Sequence, residues 1–151
     1  KHALSECTLL TVAIGSAQDD LDDRNPYTYT ERYMMLKNIF LDELLYKAKL
    51  RIIPILDIHN PPKWAEHVLG SVSIHSYTNE PVNMYYAGSD YDASLFKEYG
   101  IPVEITERLD SNLKSGTEIR ELISKNDQTW KEYTPEKNWY LISRKQVNFE
   151  E

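Results

Sequence analysis

The sequence predicts an α/β fold: a doubly wound parallel sheet, Rossmann-like, with helices on both faces in three layers. Three observations carry that prediction. Short β-rich apolar runs at residues 9–14, 51–55, 82–86 and 103–105 alternate with stretches of helical spacing, which is the βαβα order of a parallel sheet. The first two runs are almost continuously apolar, as strands buried on both faces require. Each of the first three runs stops at a small polar segment, and in open α/β sheets ligands bind beyond the carboxyl ends of the strands.

The elements follow in order. Residues 1–6 read as the tail of a helix, because no cap or start signal precedes them. The run 9–14 is a strand closed by Gly15. Thr28-Tyr29-Thr30-Glu31 has the form of a capping box, and Tyr33, Leu36, Ile39, Phe40 and Leu44 then recur at helix spacing, predicting a helix to about Lys47. A second strand, 51–55, ends near Asp57, and a third, 82–86, ends at Gly88. Residues 90–99 read as a helix closed by Gly100, 103–105 as a short strand, and Ser115-x-x-Glu118 as a second capping box opening a helix through Ser124. Residues 126–151 form a helical, aromatic extension in which Trp130, Tyr133, Trp139 and Tyr140 make a packed lid or an interface. The whole of 1–151 is expected to be one domain.

Composition narrows the function. With 17 Lys and Arg against 24 Asp and Glu, the net charge of −7 disfavours nucleic acid or an anionic membrane as the main partner. A phosphate site would have to be built locally. The single cysteine, Cys7, excludes an internal disulfide and suits a reducing compartment. The longest apolar runs are far too short to span a bilayer, and the expectation is a cytoplasmic protein.

Ser115-Gly116-Thr117-Glu118-Ile119-Arg120 is the most informative segment. Free N–H groups at a helix start, two hydroxyls and a fixed guanidinium can converge on one polyanion. Three further loops lie where strands end: Gly15-Ser16-Ala17-Gln18, Asp57-Ile58-His59-Asn60 and Gly88-Ser89-Asp90. Each alone is an ordinary connection, but together they can line one crevice. Arg24 could grip a phosphate beside the helix start at Thr28, or else pair with Asp22 or Asp23. Trp64 could stack on an aromatic ring or fill the core. The acidic run 19–23 is better read as a solvated loop than a magnesium site, and His59, His67 and His75 lack the spacing of a zinc site.

These pieces resemble the nucleotidyltransferases of α/β phosphodiesterase type, and within them the archaeal nicotinamide-mononucleotide adenylyltransferases. The matching segments, in order, are Ile14-Gly15-Ser16-Ala17-Gln18, Arg24-Asn25-Pro26-Tyr27-Thr28 with Glu31-Arg32, Asp57-Ile58 with Trp64, Tyr86-Ala87-Gly88-Ser89, and Ser115 to Arg120. The resemblance implies transfer of AMP from ATP, carried with Mg2+, to NMN, giving NAD and pyrophosphate. By that match Arg24 holds the NMN phosphate, and Asp57, Ile58 and Trp64 frame the nicotinamide. Ser115, Thr117 and Arg120 are the catalytic group on the ATP phosphates, Gly88 and Ser89 lie near the adenosine, and Gly15, Ser16, Gln18 and Gly116 complete the nucleotide contacts. It also implies a homo-oligomer without nucleic-acid or membrane partners, and no metal ligand is expected from the protein.

Asp20-Leu21 stands where the family has a Ser-His pair, and Pro61 where it has asparagine. Other acceptors therefore stay open: FMN, pantetheine phosphate, a phosphorylated alcohol, or none at all in a nucleotide-binding protein that has lost the reaction. The family's first strand and histidine-bearing loop have no counterpart in residues 1–151, so an upstream strand and loop, or an equivalent, is expected. Without it, the chain is expected neither to fold as a monomer nor to catalyse.

Overall fold

The computed structural model describes residues 2–19, 22, 24–76, 80–106 and 114–146. Their order is α1 (His2–Glu6), β1 (Leu10–Ile14), α2 (Tyr29–Ile39), β2 (Leu50–Pro54), α3 (Pro61–Ile74), β3 (Tyr85–Ala87), α4 (Asp90–Ser94), β4 (Val103–Ile105), α5 (Gly116–Ser124) and α6 (Trp139–Gln146). The fold is α/β, with every strand pairing parallel.

The strands form two parallel pairs instead of one continuous ladder. β1 pairs with β2 from Leu10↔Leu50 to Ile14↔Pro54, and β3 pairs with β4 from Tyr85↔Val103 to Ala87↔Ile105. Among the described residues no strand bridges the pairs. Side chains join them instead. On one face, α3 places Ala65 and Val68 against Ile53 of β2 and Ile55 just beyond it, and the same cluster takes in Phe96, Tyr85 and Val103. Tyr85 and Phe96 stack with centroids 3.9 Å apart. On the other face, Ile14, Leu50 and Ile52 meet Tyr29, Tyr33 and Leu36 of α2, and Leu4 of α1. From α1, His2 also reaches across to Glu104 of β4 at 2.6 Å and stands edge-on to Tyr86 of β3. β2 is thus apolar on both faces, as its sequence demands.

Several boundaries differ from the sequence expectation for local reasons. β3 begins at Tyr85 and not at Val82, because β4 supplies only three partners. The helix expected to reach Lys47 ends at Ile39; the chain then closes a single π-helical turn, Asp42–Tyr46, and Phe40 and Leu44 both remain on the core. The helix expected over 90–99 stops at Ser94, followed by a 3-10 turn that Gly100 ends at a φ of 66°. Pro61 and Pro62 occupy the first turn of α3, where a missing N–H does no harm. Both capping boxes form as expected, with Thr28 and Glu31 opening α2 and Ser115 and Glu118 opening α5.

The C-terminal segment contacts α2. Trp130 is fully buried, and Asn138 donates through Nδ2 to the Met35 carbonyl (3.1 Å) while accepting from Asn38 Nδ2 (3.0 Å). Tyr140 is instead 72% exposed, so the aromatic cluster is only partly a packed lid. Among the described residues no helix is long and apolar enough to cross a membrane.

Candidate active site

Three arginines, two from near α2 and one from α5, line one pocket. Its volume is about 230 Å³, and Arg24, Asn25, Pro26 and Tyr27 line it together with Arg32 and Met35 of α2, Gly116, Ile119 and Arg120 of α5, Thr134, and Ile142 of α6. Most of this lining is apolar, with guanidinium groups among it. Such a chamber suits a ligand that is planar or apolar on one side and anionic on the other.

The start of α5 is organised to hold Arg120. Ser115 Oγ accepts from the Glu118 N–H (3.2 Å), and Glu118 Oε2 accepts from the Ser115 N–H (2.7 Å), which fixes the first turn. Thr117 Oγ1 accepts from Arg120 Nη2 at 3.0 Å, so one hydroxyl of the motif orients the cation of the same motif. Gly116 makes room for that cation, since a Cβ there would lie 3.2 Å from Arg120 Nη1.

Arg24 approaches from the opposite wall. Asp22 Oδ1 accepts from the backbone N–H groups of Arg24 (2.8 Å) and Asn25 (2.6 Å), a turn that shapes the chain ahead of α2. Arg24 lines the pocket, and among the described residues no carboxylate pairs with its guanidinium. Asp20, Leu21 and Asp23 of the acidic run lie outside the described residues.

Tyr27 is the pocket residue that sequence reasoning passed over. Its phenol is pushed up to about 12, first by burial and then by the Glu31 carboxylate, against the opposing pull of Arg120. The O–H is therefore retained at neutral pH. Thr134 and Ile142 were also missed, because nothing local in the sequence brings residues 134 and 142 to α5.

The loops after β1 and β2 are bound to each other. Gln18 Nε2 donates to the Asp57 carbonyl (3.0 Å), and the Asp57 N–H donates to Gln18 Oε1 (2.9 Å). Ser16 and His59 have φ of 46° and 48°, the left-handed region that costs a non-glycine residue about 1–2 kcal/mol. Strain of this kind persists where surrounding bonds hold it. Asp57 Oδ1 accepts from the His59 N–H at 2.8 Å, which supports the second of these turns.

The remaining sequence candidates sit apart from the pocket lining. Trp64 packs on the core cluster of α3, with its ring 5.9 Å from that of His67. Ser89 caps α4, accepting from the Asp92 N–H (3.2 Å) and donating to Asp92 Oδ2 (2.7 Å), and Gly88 precedes it at the end of β3. Ile58 lies half-buried in the loop after β2.

Parallel strands with strained loops at their carboxyl ends, and arginines brought to one pocket from the segment before α2 and from α5, are the arrangement expected of a nucleotide-handling α/β enzyme of the nucleotidyltransferase class. The curated relatives are specific. Over 135 residues the chain is 32% identical to the nicotinamide-nucleotide adenylyltransferase of Caldivirga maquilingensis, covering 89% of this chain and 72% of that protein. It is also 32% identical to the enzymes of the same name from Pyrobaculum arsenaticum, over 95% of this chain and 77% of that one, and Archaeoglobus fulgidus, over 90% and 75%. The chain belongs to the nicotinamide-nucleotide adenylyltransferase family.

Solved structures agree on the fold. A bifunctional NMN adenylyltransferase/ADP ribose pyrophosphatase from Francisella tularensis superimposes with a TM-score of 0.64 at 15% identity, covering 99% of this chain and 48% of that one. The same protein complexed with AMP and a manganese ion gives 0.61. The chain thus spans about half the length of that bifunctional protein. No family profile matches the chain.

Proposed function

We propose that the pocket between the starts of α2 and α5 brings ATP and NMN together for adenylyl transfer, giving NAD and pyrophosphate. The observation that carries this reading is the convergence of Arg24 and Arg120 on one mostly apolar chamber. An oxygen of the NMN phosphate attacks the α-phosphorus of ATP, the new P–O bond forms as the bond to pyrophosphate breaks, and no covalent enzyme intermediate is needed. Catalysis of this type rests on positioning and on cations that stabilise charge spread over the phosphoryl oxygens.

Each side chain then has a task. Arg120, oriented by Thr117 and the Ser115 cap, grips the ATP phosphates, and the N–H groups at the start of α5 add their positive end of the helix dipole. Arg24 grips the NMN phosphate. Gln18 holds the Asp57 loop in register with the Gly15–Ser16 loop, so that the acceptor side is framed from both strands. Tyr27 lines the pocket with its phenol neutral. Magnesium bound to the triphosphate would neutralise phosphate charge alongside the Arg24 and Arg120 guanidinium groups.

The net charge of −7 supports an enzyme without nucleic-acid or anionic-membrane partners, and the single Cys7 suits a reducing, cytoplasmic compartment. Exposed Tyr140 beside the packed Trp130 and Trp139 supports a homo-oligomer with a C-terminal contact. Calorimetric titration of the protein with ATP and Mg2+, and separately with NMN, tests the reading. Saturable binding of each in the micromolar to millimolar range is expected. Binding of neither nucleotide would contradict it.

A further inference from the structure

Arg32, on the first turns of α2, turns its whole guanidinium onto the loop after β1. Nη1 donates to the Gly15 carbonyl (2.8 Å), Nη2 to the carbonyls of Ser16 (2.8 Å) and Asp19 (3.3 Å), and Nε to that of Thr28 (3.4 Å). A guanidinium presents its donors in one rigid plane, so several carbonyls met at once fix both the place and the tilt of a loop. Lysine has the charge but not the fork.

The clamped loop is the one that needs holding. Ser16 adopts a φ of 46°, and its carbonyl accepts both from Arg32 and from the Asp19 N–H (3.1 Å). From the far side, the Ala17 N–H donates to the Ile55 carbonyl (3.0 Å) and Gln18 brackets Asp57. The loop is therefore gripped by α2 on one side and by the end of β2 on the other. Arg32 differs in this from Arg120, whose guanidinium meets the Thr117 hydroxyl. With Nε, Nη1 and Nη2 all engaged by carbonyls, Arg32 is not free to grip a phosphate.

We propose that Arg32 is a positioning residue that locks Ser16 and Gln18 in place and thereby aligns the acceptor side of the pocket. The proposal rests on the reading of the pocket as the ATP and NMN site. Because the loop is joined through Gln18 to Asp57 and Ile58, its displacement reaches the acceptor and leaves the α5 side intact.

Arg32→Lys and Arg32→Ala are compared with the unaltered protein in two measurements. In backbone amide exchange followed by mass spectrometry, segment 14–19 is expected to exchange roughly tenfold faster or more in both variants, while α3 keeps its protection. In steady-state kinetics, the KM for NMN is expected to rise about tenfold or more with the KM for ATP changed less than about twofold, and added guanidinium ion to restore part of the NMN affinity in Arg32→Ala. Unchanged exchange in 14–19 would overturn the clamp. Equal rises in both KM values, or full function in Arg32→Lys, would overturn the acceptor-side role. If the unaltered protein binds no NMN, the nucleotide reading fails, and the exchange data decide the clamp by themselves.

Discussion

Replacing Asn138 by alanine removes two of the hydrogen bonds between the C-terminal segment and the helix that carries Arg32 and Met35. The side chain is 4% exposed and makes a hydrogen bond at each end, to the Met35 carbonyl and from Asn38. Neither partner is orphaned by the change. The Met35 carbonyl lies within α2, where the helix ladder offers it a second donor, and Asn38 Nδ2 keeps the Lys137 carbonyl at 3.3 Å. The cost is therefore that of two neutral hydrogen bonds at the low end of their range, about 1–2 kcal/mol. For a chain of 151 residues this lowers the melting temperature by roughly 2–8 °C. Thermal unfolding followed by far-ultraviolet circular dichroism reads the shift, and Asn138→Asp, which sets a buried carboxylate oxygen against the Met35 carbonyl, should lower the midpoint at least as far. A shift below about 1 °C would refute the claim that Asn138 ties residues 126–146 into the domain.

Arg120→Ala removes charge-assisted contacts worth about 1.5–3 kcal/mol, so kcat/KM for ATP should fall about 10- to 100-fold in initial-rate assays. Arg24→Ala should instead raise the KM for NMN by a similar factor with little change for ATP. Gly116→Ala should separate stability from function: alanine favours the first turn of α5, while its Cβ pushes on Arg120 Nη1 from 3.2 Å, giving an equal or slightly higher melting temperature and a several-fold weaker use of ATP. The Tyr27 phenol, raised from 10.0 to about 12, is neutral in the fold where the unfolded chain would already ionise. That contribution to stability is complete below pH 10 and is lost as pH rises through 12; Tyr27→Phe should show a smaller loss over this window in melting scans.

What the sequence made legible was local. Thr28 with Glu31, and Ser115 with Glu118, announce helix starts within four residues, and both formed. Gly100 likewise marked a left-handed turn that is present. Pairing partners are not local, so β3 was placed three residues early: Val82, Asn83 and Met84 have a plausible strand composition but no opposing residues in β4. The separation of the strands into two pairs is equally a matter of distant neighbours. At the site, Arg24 and Arg120 could be marked as phosphate-gripping groups from their positions at helix starts. That they share a pocket with Tyr27, Thr134 and Ile142 depends on how α6 packs. Gln18 shows the limit most plainly: the family resemblance implied a nucleotide contact for it, but nothing local signals that its amide joins Asp57 at both ends.

The most direct measurement is product formation. With ATP, Mg2+ and NMN, the protein should release NAD and pyrophosphate in equal amounts, and FMN or pantetheine phosphate in place of NMN should give no dinucleotide. Absence of NAD together with adenylylation of one of those other acceptors would contradict the assignment of the pocket to ATP and NMN.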